Sequence, residues 1–230
     1  MSWLSENSEQ VVQLVWAHLL LSIPAIVVST IIAVPIAYFA YKRPVIGGPL
    51  LSAATLLYAI PALPLLALIP AFFGVPLRSP LTVVIALILY GIALLVRTAA
   101  DAFAAIDPHL RDAAISMGFS NRSLFWRVEL PASIPVLLSG VRVVTVSTIG
   151  LATIGALVGV SNIGTLLTDG FQRGITAEVT VGIVATVVLA LLIDAALILL
   201  GRIIAPWAHD EASKANSRLG TVRLIFFLMH

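Results

Sequence analysis

The sequence has no cysteine and very little charge. The first absence excludes disulfides and thiolate metal sites, and leaves the compartment unread. The second is more informative. Only 10% of the 230 residues are charged, against roughly 25% in soluble globular domains. With 60% hydrophobic residues, a soluble fold of this length would have to hide more apolar surface than one core holds. Much of the surface must therefore face lipid. Lysine is scarcer still, since Lys42 and Lys214 are the only two and neither follows glycine. No phosphate-binding G-x-x-x-x-G-K-[ST] loop can form, so the chain cannot hydrolyse ATP alone. There is no H-E-x-x-H, no G-x-S-x-G and no cluster of histidines and carboxylates, which leaves no catalytic candidate. A net charge of +2 with scattered basic residues gives no footprint for nucleic acid. The first 17 residues carry Glu6 and Glu9 and no basic residue, the reverse of a cleavable signal peptide.

What the chain does have is long apolar runs. A hydrocarbon core about 30 Å thick needs about 20 apolar residues per helix. The runs are continuous rather than alternating, which favours helices over barrel strands. The predicted fold is an all-α membrane protein with five transmembrane helices, over 15–41, 49–73, 81–98, 134–160 and 179–206. Pro61, Pro64 and Pro70 predict a kink or break in the second. Residues 1–14 are then an extracytoplasmic segment, 15–206 the membrane domain and 207–230 a cytoplasmic tail. The apolar stretch 221–230 is too short to span, and nothing in the sequence explains it.

Lys and Arg set the orientation. Lys42, Arg43, Arg97, Arg111, Arg122, Arg127, Arg142, Arg202, Lys214, Arg218 and Arg223 fall on one side of this arrangement. Only Arg78 and Arg173 fall on the other. The positive side is cytoplasmic, so the N-terminus is outside and the C-terminus inside. An odd number of spans agrees with that.

The polar loop over 99–133 is the longest in the chain and lies on the positive side. Asp107 is a suitable N-cap, Pro108 suits the first helical position, and Gly118 suits a C-terminal turn needing positive φ. Together they delimit a short helix. Leu110, Ala114 and Met117 fall on one face by i, i+4, i+7 spacing, and Ala113 and Ala114 keep part of the surface low. Ser120 could cap a second short helix carrying Leu124, Phe125 and Val128, with Pro131 and Pro135 marking the turn into span four.

At this point the sequence resembles a known family. The cytoplasmic signature of bacterial ABC importer permeases runs Glu-Ala-Ala, three residues, Gly, nine residues, Ile, one residue, Leu-Pro. Here Asp112-Ala113-Ala114, Gly118, Val128 and Leu130-Pro131 stand at the same spacing, with Asp for Glu and Val for Ile. The run from Val128-Glu129-Leu130-Pro131 to Ser139-Gly140-Val141-Arg142 is most similar to the osmoprotectant branch, whose members carry glycine betaine, choline or carnitine. The resemblance implies a cytoplasmic coupling helix that docks on a separate ATPase subunit through Leu110, Asp112, Ala113, Ala114, Met117, Gly118, Leu130 and Pro131. It implies a second permease subunit, identical or related, and an extracytoplasmic solute-binding protein. ATP and Mg would be used by the ATPase, with no cofactor on this chain. Transport would proceed by alternating access in the bacterial cell membrane. A methionine-type permease shares the short chain and five-span layout.

Three further features stand outside the signature. Thr145, Thr148, Ala152, Gly155 and Gly159 share one face of span four, which suits close helix packing, a subunit interface or the transport route. Asp194 sits within span five and must find a partner inside the bundle or face water. Arg142 is the only basic residue well inside span four, and for Asp194 a structural ion pair or a hydrogen-bonded site is expected rather than a solute contact. The segment 161–174, with glycines at 164, 170 and 174, is expected as a short helix or gate. Two other classes fit the sequence less well. An intramembrane enzyme would need a convergent polar site, for which only Asp194 and Arg142 are candidates. A secondary transporter should show repeated halves, which five unpaired spans do not provide.

Overall fold

The computed structural model describes residues 2–207. Lys214, Arg218, Arg223 and the apolar stretch 221–230 lie outside the described residues. Ten α-helices follow in order: α1 (Ser2–Glu6), α2 (Ser8–Lys42), α3 (Pro44–Ala59), α4 (Ala62–Phe73), α5 (Pro80–Ala104), α6 (Pro108–Ser116), α7 (Asn121–Leu124), α8 (Leu130–Ala152), α9 (Gly164–Arg173) and α10 (Thr176–Ile204). A π-helical turn, Phe125–Glu129, joins α7 to α8, and a 3-10 turn, Thr153–Val158, extends α8. No strand occurs among the described residues.

The chain is an all-α membrane protein. Helix α2, the run Asn121–Val158, α5 and α10 are each long and apolar enough to cross a bilayer. The pair α3 and α4 is a fifth candidate, bent by 110°. The break is at the predicted proline. Ile60 and Pro61 are extended, with ψ of 127° and 144°. A residue before proline is pushed out of the helical region by the proline ring. The Ile60 carbonyl, freed from the helix ladder, accepts from the Tyr90 hydroxyl of α5.

Packing shows that this broken pair must traverse the bundle. Leu21 and Ala25 of α2 cluster with Val83, Ala86 and Leu87 of α5. Farther along, Ala33 and Ala37 cluster with Leu95, Ala99 and Phe103. Low numbers meet low numbers, so α2 and α5 run parallel. The end of α2 and the start of α5 lie at opposite ends of the bundle. The α3–α4 pair carries the chain back between them and is the second, broken span. Helix α8 runs the other way, with Leu137 and Val144 in the second cluster and Ala152 in the first. Helix α10 opposes α8, since Glu178 lies near Gly170 of α9 at one end and Gly201 faces Leu138 at the other. The five passages put the start of α2 and α9 at one end, and α6 and α7 at the other.

Small residues make the central contact. Ala25, Ser29, Ala33, Ala37 and Ala40 form a buried stripe on α2, at most 3% exposed. A Cβ on Gly91 of α5 would lie 2.5 Å from the Ser29 hydroxyl, so the two backbones approach closely. Helix α5 is the most buried span and α10 the least, at 56% and 6%. Much of α10 is therefore left for lipid or another subunit.

The sequence missed several helix ends. Helix α2 begins at Ser8, not near residue 15, because Val11, Val12 and Leu14 continue its apolar pattern. Helix α5 runs six residues past 98, since Ala99, Ala100, Ala102 and Phe103 are buried in the core. No turn separates the loop from span four. The Leu130 N–H bonds back to the Phe125 carbonyl, and this wider π turn keeps the helix going through the Leu130-Pro131 step.

Two adjacent glycines give a matched test of this packing. A Cβ on Gly47 would sit 2.2 Å from the Ala40 carbonyl oxygen, a backbone atom that cannot swing away. A Cβ on Gly48 would meet nothing within 4 Å. Gly47→Ala is expected to destabilise the purified protein by about 1–3 kcal/mol, as overpacked cores do. Gly48→Ala is expected to be neutral or slightly stabilising. The two melting temperatures in detergent, each compared with the parent, check the assignment.

Candidate functional site

The candidate site is built at the α6 end of the bundle. Helix α6 is nine residues long and is capped as expected: the Asp107 side chain accepts from the His109 N–H at 2.9 Å. Gly118 has φ +84° and closes the helix, with its N–H on the Ile115 carbonyl at 2.9 Å. The Ser120 hydroxyl caps α7, accepting from the Ser123 N–H at 3.3 Å.

A helix this short is held by its neighbours. The holder is Glu129, which is 0% exposed in the π turn. Its Oε2 accepts from the Tyr38 hydroxyl at 2.6 Å. Its Oε1 lies 2.9 Å from Lys42 Nζ and 2.5 Å from the Arg111 guanidinium. Arg111 also donates to the Tyr41 hydroxyl. Tyr38, Phe103 and Phe125 pack beneath, with the Tyr38 ring 4.4 Å from Phe125 and 5.2 Å from Phe103. One buried carboxylate thus ties α6, the end of α2 and the start of α8 into one body. A carboxylate desolvated here is stable only because two cations and a hydroxyl meet it.

Burial divides the residues singled out in the sequence. Ala114 is 1% exposed, while Leu110 is 46% and Met117 71% exposed. The three do not act as one face. Arg111 and Ala114 turn towards the bundle, and the helix ends at Ser116, so Leu110 and Met117 overhang at either end. Ala114 anchors α6 to its own chain and is closed to any other. Asp112, Ala113 and Gly118 are exposed. Leu130 and Pro131 are half-buried in the first turn of α8. What remains outside is a low surface, Asp112, Ala113 and Ser116, flanked by Leu110, Ile115 and Met117. Trp126, 59% exposed, stands nearby in the chain. These side chains leave an apolar patch standing out from a polar loop.

Burial also decides among the readings of the stripe on span four. Thr145, Thr148, Ala152 and Gly155 are buried within this chain and line no free surface. A Cβ on Gly155 would stand 3.2 Å from Val83 of α5, which shows what the small residues admit. Gly159 is exposed with φ +86°, because the 3-10 turn ends there and breaks the helical spacing. Asp194 and Arg142 do pair. Two bonds of 2.7 Å run from Arg142 Nε and Nη2 to the two carboxylate oxygens. The segment 161–174 contains a true helix, α9. The Asn162 side chain starts it, accepting from the Gly164 N–H at 2.6 Å and donating to the Val160 carbonyl at 2.9 Å.

The family model for the inner-membrane component of binding-protein-dependent transport systems matches residues 14–210. This chain belongs to that family. It is a multi-pass protein of the bacterial inner membrane and a transport permease. The carnitine transport permease OpuCB of Listeria monocytogenes is 27% identical over 94% of this chain and 97% of its own length. The osmoprotectant import permease OsmW of Salmonella typhimurium is 30% identical over 84% and 90%. The inward-facing MetNI methionine ABC transporter superposes with a TM-score of 0.74 at 21% identity, covering 84% of this chain and 95% of that one. At that identity the likeness is one of fold.

Glu129 is the permease residue that sequence reasoning passed over. It occupies the unconstrained position between Val128 and Leu130. The signal was present: a lone carboxylate at the seam between polar loop and apolar helix, with Lys42 and Arg111 assigned to the same side.

Proposed function

We propose that this permease imports a small compatible solute, of the glycine betaine, choline or carnitine type, with energy from a separate ABC ATPase. Two permease subunits, identical or related, form the path. An extracytoplasmic binding protein delivers solute to the end bearing α9. The ATPase, which binds ATP and Mg, docks on α6 at the cytoplasmic end. The one observation that carries the docking is the exposed set Leu110, Ile115 and Met117 around the low Asp112–Ala113 surface. The charge count supports the orientation, since Lys42, Arg111 and Arg127 lie at the α6 end. The solute reading follows the full-length similarity to carnitine and osmoprotectant permeases. A methionine reading has the fold alone behind it.

The ion pairs around Glu129 support a coupling route. A push on α6 passes through Arg111 to Glu129, and Glu129 begins the helix that becomes α8. Lys42 and Tyr38 make α2 share the displacement. The core helices would therefore tilt as one body when the ATPases close, and alternating access needs such a body.

The test is copurification followed by uptake. Tagged permease expressed with its genomic neighbours should bring down an ATPase. Proteoliposomes containing that complex should accumulate glycine betaine, carnitine or choline only with internal ATP and the binding protein. Accumulation of methionine alone would replace the solute assignment. Uptake without any ATPase would remove the importer reading.

A further inference from the structure

The Arg142–Asp194 pair is not sealed in the bundle. Its side chains are 38% and 20% exposed, and an open cavity of about 470 Å³ lies directly over them. Ser139, Val143, Val146 and Ser147 complete the lining. Arg142 is twelve residues from the start of α8, about 18 Å from the α6 end at 1.5 Å per residue, which is mid-depth. Charged groups at that depth do not face hydrocarbon; they face a water-filled cavity or protein. None of the described residues covers them. The α8–α10 face is therefore turned away from lipid.

The chemistry of the pair narrows what passes there. Arg142 uses Nε and Nη2 on Asp194, which leaves Nη1 without a bond to that carboxylate. Asp194 accepts one bond on each oxygen and has further lone pairs. The pair shows both signs with no net charge. A lone cation or anion would hold an oppositely charged solute too firmly for passage. A compensated pair offers a weak, two-ended contact, as a route that must also release its cargo requires. Arg142 and Ser139 also line a second hollow of about 170 Å³, with Pro135, Ile198 and Gly201, that continues towards the α6 end. The two hollows meet at Ser139 and Arg142.

We infer that the Arg142–Asp194 pair is a low-affinity contact point on the transport path for a zwitterionic solute, its guanidinium meeting the solute carboxylate and its carboxylate the ammonium. This rests on the importer reading above and adds where within the membrane the solute is met.

The test uses the complete importer in proteoliposomes. The chain lacks cysteine, so Val146→Cys places one thiol in the cavity. A water-soluble thiol reagent should modify it, and glycine betaine present during turnover should slow that reaction at least threefold. The neutral double variant Arg142→Gln/Asp194→Asn should keep binding-protein-stimulated ATP hydrolysis and lose at least tenfold in glycine betaine uptake. If that variant does not assemble, the cysteine result decides. The inference is overturned if Val146→Cys stays unreactive in every nucleotide state. It is overturned equally if the double variant transports normally. Absence of stimulated ATP hydrolysis in the parent complex would instead overturn the importer reading.

Discussion

Glu129→Gln is expected to uncouple the permease, with solute uptake down more than tenfold and ATP hydrolysis no longer stimulated by loaded binding protein. Glutamine keeps the shape and removes the charge. Lys42 and Arg111 then face each other with no carboxylate between them. Breaking a fully buried pair costs about 3–5 kcal/mol. Here Lys42 is 36% and Arg111 22% exposed, so water takes up part of the loss and about 2–3 kcal/mol is the better figure. That is large for a helix of nine residues with few other contacts. Helix α6 should detach while the spans stay folded. Adding Arg111→Gln should cost less than the sum of the two single changes, because the orphaned cation goes with it. Wild-type uptake by Glu129→Gln, with an unchanged melting temperature, would show that the carboxylate does not hold α6.

Gly118→Val is expected to have an effect of similar size at the same step, by a different cause. Gly118 has φ +84°, and a Cβ there would meet nothing within 4 Å. Space is not the obstacle; the backbone is. A β-branched residue at positive φ is strained, and such strain costs on the order of 1–3 kcal/mol. The turn would reopen, and Met117 and Phe119 would leave their places beside α6. ATPase retention on tagged permease should fall at least tenfold. Gly118→Asn should retain most of it, since asparagine tolerates the left-handed region. Equal retention by both variants would mean that the turn does not shape the docking surface.

The readable parts of this protein and the hidden ones differ for physical reasons. Span existence was readable because a bilayer imposes a length and an apolar composition on each helix. The break at Pro61 was readable because proline acts on its own neighbours. The caps Asp107 and Ser120 and the turn at Gly118 are equally local. Burial around α6 was not readable, because it depends on which way a short helix lies against the bundle. Spacing alone put Ala114 with Leu110 and Met117, and packing separated them. The span-four stripe stayed open between packing, interface and route for a related reason: small residues suit a path and a core equally well, and α5 took them. The stripe Ala25, Ser29, Ala33, Ala37 that pairs α2 with α5 drew no notice among so many alanines. The Glu129 site needs three segments, around residues 42, 111 and 129, brought to one place. No pattern along the chain marks that meeting.

The central claim is that α6 is where a separate ATPase engages. Single cysteines on this cysteine-free chain test it most directly. Met117→Cys at the α6 end and Phe171→Cys on α9 are both expected to be accessible, the native side chains being 71% and 83% exposed. Each would be treated with a short cross-linker, thiol-reactive at one end and amine-reactive at the other, in the intact complex, with and without ATP. The account predicts an adduct between Met117→Cys and the ATPase whose yield changes with nucleotide, and none from Phe171→Cys. An ATPase adduct from Phe171→Cys, with none from Met117→Cys, would contradict both the docking surface and the orientation of the chain.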